Sequence, residues 1–291
     1  MKLSFLYKQA VKLGSQYDPR KGTRIDSYAD TAILYGKPGT EVKKVLVGID
    51  IEAAELLLAD RIRESQGLDL VISHHPEGRA YAALHQVMQL QVDLLTDAGM
   101  QEKIAQKYVE ERKNEVERRI LPQNHTRPVD AARLLDLPLM CMHTPADNHV
   151  FWFIEKLMDK EKPKKVQDII DILLKVPEYR LAQKMSVGPR IILGSPKREV
   201  GKILIEMTGG TEGSKEVFDK LYKTGVRTVI SMHLSDEHFK KIKDANLNAV
   251  IAGHISSDTL GLNLLLDRIE KAAGETLQVI NCSGFTRIKR N

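Results

Sequence analysis

Histidine and aspartate recur in this sequence at spacings that suit metal coordination. One pair of histidines is adjacent, and two further histidines each lie four residues before an aspartate. Neutral imidazole and carboxylate are common protein ligands of Zn²⁺, Fe²⁺ and Mn²⁺, and a carboxylate can bridge two cations. We therefore predict a site for two divalent metal ions, Zn, Fe or Mn, with positions left open for water. The predicted metal ligands are His74, His75, Asp147, His254 and Asp258.

Two more histidines, His143 and His233, also follow apolar runs and are candidates for proton transfer. Imidazole titrates near neutral pH, which suits a residue that takes up and releases a proton during catalysis. The same ring can ligate a metal or hold a ligand carboxylate by a hydrogen bond. We assign His143 and His233 to catalysis and keep these other roles as alternatives. For Asp147 and Asp258, the alternative to ligation is a helix N-cap.

A glycine-rich turn at residues 208–214 could bind an anion through its backbone N–H groups, because it lies between an apolar run and a helical pattern. It lacks the Gly-Lys-Ser/Thr ending of an ATP-binding phosphate loop. The corresponding residues 51–54 contain no glycine. Anion binding at this turn is therefore a hypothesis without support from the other half of the chain.

Short apolar runs rich in valine and isoleucine provide the elements that could hold these residues. Such runs, alternating with helical patterns, are typical of a parallel β-sheet flanked by helices. The site of such a sheet lies outside the carboxyl ends of its strands, where the predicted ligands fall. We therefore predict an α/β fold with mostly parallel strands. The runs are residues 45–51, 70–73, 137–142, 203–207, 228–232 and 249–252.

An internal repeat relates the two halves of the chain. Residues 45–75 align without a gap with residues 203–233, and both segments end in Val-Ile-Ser-x-His. Each segment is followed by another apolar run that leads to His-x-x-x-Asp, so we expect two pseudo-equivalent halves. A stretch with helical spacing at about residues 80–128 has no counterpart in the second half. It predicts a helical insert that serves as a lid or as an oligomer contact.

A charged, proline-containing segment at residues 156–165 is the most linker-like part of the chain. It divides the sequence into a first α/β half, residues 1–155, which includes the insert, and a second α/β half, residues 156–291. Each half contributes predicted ligands, and we therefore expect the metal site between the halves.

Composition narrows the class of protein. No apolar run approaches the roughly 18 residues of a membrane-spanning helix, and the amino terminus lacks the apolar block of a signal peptide. The two cysteines are too few for a disulfide framework. The net charge is +5, but basic and acidic residues are interleaved except at residues 287–290. We predict a cytoplasmic protein without membrane contact, and we do not expect nucleic acid to be its main partner.

Three motifs, in this order along the chain, resemble the pattern of the Nif-three-like family, whose members are often described as GTP cyclohydrolase I type 2-like. The resemblance spans most of the chain, and the family has a similar internal repeat. It implies an α/β fold, a ring-shaped homohexamer built of dimers, and a dinuclear metal pair that faces the interior. The motifs are His74-His75-Pro76, His143-Thr144-x-x-Asp147 and Gly253-His254-x-x-x-Asp258.

The family pattern carries metal ligands onto all five predicted positions, with residue 258 as a bridging carboxylate. The chain departs from the pattern there, because the family usually has glutamate and this sequence has Asp258. It departs again at residues 27–35, where only Asp30 corresponds to an Asp-Asn-containing segment of the family. The resemblance therefore implies a divergent subgroup.

Two functions of different classes fit these residues. The first is a metal-dependent hydrolase that acts on a nucleotide or on a phosphorylated or heterocyclic small molecule, with His143 or His233 moving the proton. The second is a non-catalytic metal-binding protein with a regulatory or scaffold role toward proteins or nucleic acid. A catalytic site keeps coordination positions open, whereas a structural one is closed.

Overall fold

Two β-sheets, with helices between and around them, form the architecture of the computed structural model, which describes residues 1–290. The first sheet has the strand order β1-β4-β3-β2-β9 and the second β5-β8-β7-β6. Only the edge pairs β1 with β4 and β5 with β8 are antiparallel. The predicted α/β fold with mostly parallel strands is confirmed. The strands are β1 Thr31–Tyr35, β2 Lys44–Gly48, β3 Leu70–Ser73, β4 Leu139–Met142, β5 Arg190–Leu193, β6 Lys202–Glu206, β7 Val226–Ser231, β8 Asn248–Ile251 and β9 Gln278–Asn281.

Each of the six apolar runs forms a strand, whereas the sequence patterns do not predict β1, β5 and β9. The inner strands β3 and β4 are buried along their whole length, which explains their continuous apolar character. Strand β5 lies at a sheet edge and alternates exposed with half-buried residues. It nevertheless contains Ile191, Ile192 and Leu193, and so short an apolar run does not by itself distinguish a strand from a helix segment.

Helices occupy most of the remaining chain. The part that the structure describes contains no helix with both the length and the apolar character of a membrane-spanning segment. The helices are α1 Leu3–Ser15, α2 Ala53–Gln66, α3 Gly78–Ala82, α4 Gln91–Asp97, α5 Glu102–Ile120, α6 Arg127–Leu134, α7 Thr144–Glu161, α8 Val166–Leu173, α9 Pro177–Lys184, α10 Phe218–Lys223, α11 Asp236–Asp244 and α12 His254–Ala273, with 3₁₀ helices at Leu84–Leu90 and Lys215–Val217.

The internal repeat extends over both sheets. Strands β1, β4, β3 and β2 lie in the same order as β5, β8, β7 and β6, and a register shift interrupts both antiparallel edge strands. Equivalent hydrogen bonds close the ends of β3 and β7: the hydroxyl of Ser73 donates to the carbonyl of His75 over 2.7 Å, and that of Ser231 to the carbonyl of His233 over 2.7 Å. The repeated sequence therefore encodes the same strand end twice.

Chain order and sheet membership do not coincide everywhere. Strand β9 pairs in parallel with β2 of the first sheet, although it lies near the carboxyl terminus. Helix α7 continues to Glu161 and so includes the first six residues of the segment 156–165 that resembles a linker. The division of the chain at residues 155 and 156 stays a prediction.

Helices α7 and α12 each pack on the sheet of the other half of the chain. Helix α7 follows a strand of the first sheet, but its Val150 and Ile154 belong to the core of the second sheet. Helix α12 follows a strand of the second sheet, but its Leu262 and Leu266 belong to the core of the first. The helices cross closely at Gly261, where a Cβ atom would lie 2.4 Å from the carbonyl oxygen of Ala146. This crossing brings the first turns of both helices together.

The insert is helical, as predicted, and it packs on the second half of the molecule. Val92 and Leu95 of α4 share a core with Phe218 and Leu221 of α10. The insert therefore packs on the outer face of the second sheet within one chain, and its role as a lid or an oligomer contact stays a prediction.

The basic carboxyl-terminal segment pairs with acidic groups of the same chain. The guanidinium of Arg287 lies 2.5 Å from Asp267 and 3.2 Å from Glu270. That of Arg290 lies 2.6 Å from the fully buried carboxylate of Glu178. These basic groups thus pair with acidic groups of the same chain, and the expectation that nucleic acid is not the main partner stays a prediction.

Candidate metal centre

The centre forms where two strand ends meet the first turns of α7 and α12. Asp147 lies in the first turn of α7 and Asp258 directly after the first turn of α12, and both are buried, at 5% and 1% exposure. Neither is an N-cap, because the cap positions are His143 and Gly253. Both aspartates instead face the histidine four residues before them: Nε2 of His143 is 3.6 Å from Asp147, and Nε2 of His254 is 3.4 Å from Asp258. The i, i+4 spacing therefore converges the side chains, as expected.

His74 lies at the buried end of the centre. Its Nδ1 is 3.2 Å from the carbonyl oxygen of Met142, to which a neutral imidazole donates. The other nitrogen, Nε2, then presents a lone pair that is 3.4 Å from Asp147 and 3.5 Å from Asp258. Three electron-pair donors thus face one another in a region closed to solvent.

His75 lies on the more open side, next to His254. Its Nδ1 is 2.6 Å from the carboxylate of Asp50, and its Nε2 is 3.4 Å from Oδ2 of Asp258. Since Oδ1 of Asp258 faces His74, the two carboxylate oxygens address different histidines. The shorter side chain at this position therefore still reaches both parts of the centre.

The residues present fit a bound cation. Nε2 of His74, Oδ1 of Asp147 and Oδ2 of Asp258 are buried and have no hydrogen-bond partner within residues 1–290. Buried polar atoms are rarely left unpaired, because their desolvation is costly. The spacings of 3.4 to 3.6 Å exceed those of hydrogen bonds. They match the roughly 3.4 Å between two ligands that each lie about 2.1 Å from a tetrahedral cation.

Among residues 1–290, three overlapping groups of side chains could hold metal ions, and Asp258 belongs to two of them. The groups are His74 with Asp147 and Asp258, His75 with His254 and Asp258, and His74 with His75 and His143. All five residues predicted as ligands thus come together, and His143 joins them.

The charges of the centre also favour a cation. Burial disfavours a charge on His74, but Asp258 and Asp147 outweigh it and raise its pKa to about 10. Burial is likewise outweighed at His75, where Asp258 and Asp50 raise the pKa to about 9. Burial would raise the pKa of Asp258, yet His74 and His75 hold it well below its usual range. Protons on the histidines therefore balance the carboxylates, and a divalent cation would take their place.

Asp30 orients His143. Its Oδ2 atom is 2.8 Å from Nδ1 of His143 and accepts the hydroxyl hydrogen bond of Thr144 over 2.6 Å. Asp30 is completely buried and precedes β1, which pairs with the strand that leads to His143. A carboxylate on Nδ1 leaves Nε2 as the lone pair that faces the centre. Sequence reasoning found Asp30 only through the family pattern and gave it no role.

His233 lies beside the centre and outside the three metal-binding groups. Its ring centroid is 4.8 Å from that of His254, and its Nδ1 is 3.4 Å from Glu212. This interaction with Glu212 raises the pKa of His233. Burial opposes the charge on Glu212, but His233, the nearby His238 and the N–H of Ser235 together lower its pKa to about 2. His233 is thus a partly exposed imidazole held by a carboxylate, and the sequence did not single out Glu212 as its partner.

The glycine-rich turn at residues 208–214 is not arranged to bind an anion. The side chain of Gln91 donates to the carbonyls of Gly209 and Thr211 over 2.8 Å each. The carboxylate of Glu206 accepts the N–H of Gly213 over 2.9 Å. A carboxylate already accepts one N–H of the turn and Glu212 adds a second negative charge, so this arrangement disfavours an anion there.

Comparison with solved structures identifies the fold. No family model matches the chain, and no match is found among curated proteins. A NIF3 superfamily protein from Sphaerobacter thermophilus is similar over 96% of this chain and 97% of its own, with a TM-score of 0.79 and 27% sequence identity. Reduced HcgD from Methanocaldococcus jannaschii is similar over 97% of both chains, with a TM-score of 0.56 and 14% identity. TTHA1606 from Thermus thermophilus is similar over 99% of this chain and 100% of its own, with a TM-score of 0.55 and 15% identity. The chain thus has the fold of NIF3 superfamily proteins along nearly its whole length, and these structural neighbours support the resemblance to a NIF3-like family.

Proposed function

We propose that this protein binds two divalent metal ions and uses them to hydrolyse a small molecule that is a nucleotide or carries a phosphoryl group or a heterocycle. The observation that carries the proposal is the position of Asp258, whose two oxygens face two separate sets of ligands. One cation would be held by His74, Asp147 and Asp258, and the other by His75, His254 and Asp258. When bound, such a pair lowers the pKa of water and offsets negative charge that develops on oxygen.

The side chains of the centre divide into buried and accessible groups. His74 and Asp258 are each 1% exposed at the side chain, so they are held by the fold and shielded from solvent. His254 and His233 are 39% and 43% exposed at the side chain. A substrate would therefore approach from the side of His254 and His233.

His233 is placed to move a proton. It lies next to His254, and Glu212 stabilises its charged form. An imidazole in this setting can donate a proton to a leaving group at the accessible side of the centre. His143 is less suited to this role, because Asp30 fixes its Nδ1 and its Nε2 faces Asp147 inside the centre. We propose His143 as a further ligand and His233 as the proton carrier.

Metal content and turnover test the proposal together. Elemental analysis of the purified protein should find close to two divalent metal ions per chain. A screen of nucleotides and phosphoesters, with and without chelator, should find hydrolysis that disappears on chelation and returns with one of Zn²⁺, Fe²⁺ or Mn²⁺. His75→Ala should lose at least one metal and nearly all turnover. His85→Ala, which removes a histidine outside the centre, should keep both.

Hydrolysis at the parental rate by His75→Ala or by metal-depleted protein would show that the centre does not catalyse the reaction. Full metal content without turnover on any compound would instead favour the second candidate, a metal-binding protein with a regulatory role. The burial of His74, Asp147 and Asp258 gives that candidate its support. A structural metal should exchange slowly, and its removal should lower thermal stability sharply.

A further inference from the structure

An apolar cleft opens next to the metal centre, between α9, the first turns of α12 and the carboxyl-terminal segment. Its volume is about 370 Å³, within the range of sites that bind small molecules. Leucine, alanine, methionine, valine and isoleucine side chains form most of its wall. These residues are Leu181, Ala182, Met185, Val187, Ile255 and Ile288.

The cleft is continuous with the metal centre through one residue. His254 lines the cleft and also lines the small cavity that contains Asp147 and Asp258. The next residue, Ile255, contributes its partly exposed side chain to the apolar wall. A molecule in the cleft would therefore end at a predicted metal ligand.

The apolar wall has exposed and buried parts. Met185 and Val187 are 62% and 60% exposed, so nothing else within residues 1–290 covers this rim. Deeper in the wall lies Thr259, which is 4% exposed and whose hydroxyl has no hydrogen-bond partner in the described chain. An unpaired buried hydroxyl next to an apolar surface suits a ligand with one polar atom among carbon atoms.

The back of the cleft is held in place by buried charges. Glu178 lines it and is 2% exposed. Its carboxylate accepts hydrogen bonds from the amide of Asn263 over 3.0 Å and from the guanidinium of Arg290 over 2.6 Å. The carboxyl-terminal segment is thus fixed against α9, and the cleft is a formed feature of the fold.

The cavity on the other side of His254 differs in chemistry, since it is lined by Glu206 and Glu212 in addition to the metal-centre aspartates. We infer that the cleft binds the apolar part of the substrate, an aromatic ring or a branched alkyl group, and that the bond to be hydrolysed then lies at the metal centre. This inference rests on the proposed function. It narrows the substrate to amphipathic molecules with a neutral apolar group on one side of the reacting bond.

Binding of a small neutral probe tests the cleft separately from metal chemistry. Benzyl alcohol combines a ring with one hydroxyl, and methanol supplies the hydroxyl without the ring. With methyl-labelled methionine, NMR titration of the metal-free and the metal-loaded protein should show a saturable shift of the Met185 signal with benzyl alcohol and none with methanol. The signal of the buried Met88 should stay in place.

Substitutions locate the binding. Val187→Lys adds a charge at the rim and should weaken benzyl alcohol binding at least tenfold. A second variant, Leu181→Glu, adds a charge to the cleft wall from α9 and should have the same effect. Leu134→Lys makes the matched change at a residue that is 76% exposed elsewhere on the surface, and it should leave binding unchanged. Metal content should equal that of the parent in all three variants.

Three results would overturn the inference. The first is no saturable shift of Met185 in the parent, and the second is benzyl alcohol binding by Val187→Lys and Leu181→Glu that is as tight as binding by the parent. The third is a Met185 signal that depends on protein concentration, with self-association abolished by Val187→Lys, because a second copy of this chain would then occupy the cleft. Absence of bound metal would refute the proposed function. The titration of the metal-free protein would still show whether the cleft binds benzyl alcohol.

Discussion

At the scale of single residues, each inner histidine of the centre has one ring nitrogen fixed by the fold and the other turned toward the carboxylates. The fixing partner is a backbone carbonyl for His74, Asp50 for His75 and Asp30 for His143. Such partners set which nitrogen carries the proton and hold the ring in place before a metal binds. The centre is therefore organised in advance, and its strength should depend on residues that do not themselves touch the metal.

Asp30→Asn tests this dependence. The side chain keeps its shape, but its amide N–H can donate to Nδ1 of His143, which would place the proton on Nε2 and remove the lone pair from the centre. Metal affinity measured by competition with a chromophoric chelator should fall about 10- to 100-fold. Nitrogen-15 NMR of the metal-free protein should show His143 changing its protonated nitrogen. Unchanged affinity in the variant would refute the role of Asp30, and Asp267→Asn serves as a control away from the centre.

Asp18 provides a pH-dependent prediction outside the centre. Burial alone would raise the pKa of Asp18, but hydrogen bonds and charge from Arg20 and a hydrogen bond from Tyr28 hold it below its usual value. The amide of Asn148 also donates to this carboxylate. A carboxyl group with a lowered pKa in the folded state stabilises the protein above its unfolded pKa, and this contribution is lost as the pH falls through the folded value. Asp18→Asn should therefore cost about 1 to 3 kcal/mol at pH 7 and less at pH 3.

Urea unfolding at both pH values measures this difference. Asp26→Asn changes an exposed partner of Arg24 and should alter stability by less than about 1 kcal/mol. A cost for Asp18→Asn that is the same at pH 7 and pH 3 would show that its charge does not contribute.

At the scale of elements, the repeat and the insert determine how the two halves meet. Six apolar runs predicted six strands correctly. The edge strands β1 and β5 were not predicted although both contain apolar residues, because a short apolar run alone does not show that it will pair with another strand, here β4 and β8. The position of the insert was also not predictable. Helical spacing marks its apolar face, but the partner of that face, α10 with the second sheet, is distant in sequence.

Gln91 connects the insert to the turn at residues 208–214, and its replacement tests that connection. Gly209 has a φ of 103° and packs so closely that a Cβ atom would lie 2.7 Å from Gln91. Gln91→Leu would keep the packing but leave the carbonyls of Gly209 and Thr211 without their donor. We expect a loss of about 1 to 3 kcal/mol in urea unfolding, with faster amide hydrogen exchange at residues 209–213.

Gln106→Leu is the matched control for this change, because Gln106 is an exposed residue of α5 whose side-chain amide donates to Glu102. A Gln91→Leu protein as stable as the parent, with unchanged exchange in the turn, would show that the insert does not support the turn.

At the scale of the whole molecule, the candidate metal centre lies where α7 and α12 each pack on the sheet of the other half. The first turns of α7 and α12 both contribute to it, so metal binding should stabilise the junction as a whole. The ring-shaped hexamer implied by the family resemblance stays a prediction, which sedimentation of the purified protein would test.

Thermal unfolding with and without metal tests the coupling of the centre to global stability. A free metal concentration of about 100 times the Kd should stabilise the protein by about 2.7 kcal/mol for each ion bound and raise Tm by about 5 °C per ion. Excess chelator should reverse the increase. Asp258→Asn should lose it, while Asp159→Asn, an exposed substitution on α7, should keep it. An equal rise of Tm in the parent and in Asp258→Asn would place the metal elsewhere.

The sequence by itself determined the α/β class, the repeat and the residue types of the candidate centre, because buried strands need apolar runs and the strand ends are marked by histidine and aspartate. Only the tertiary structure decided how these residues meet. Helices α7 and α12 pack closely at Gly261, although they are distant in sequence. This packing brings Asp147 and Asp258 to the same histidine, His74. The partners Asp30, Asp50 and Glu212 likewise come from other parts of the chain, since hydrogen bonding in a folded protein depends on distance in space.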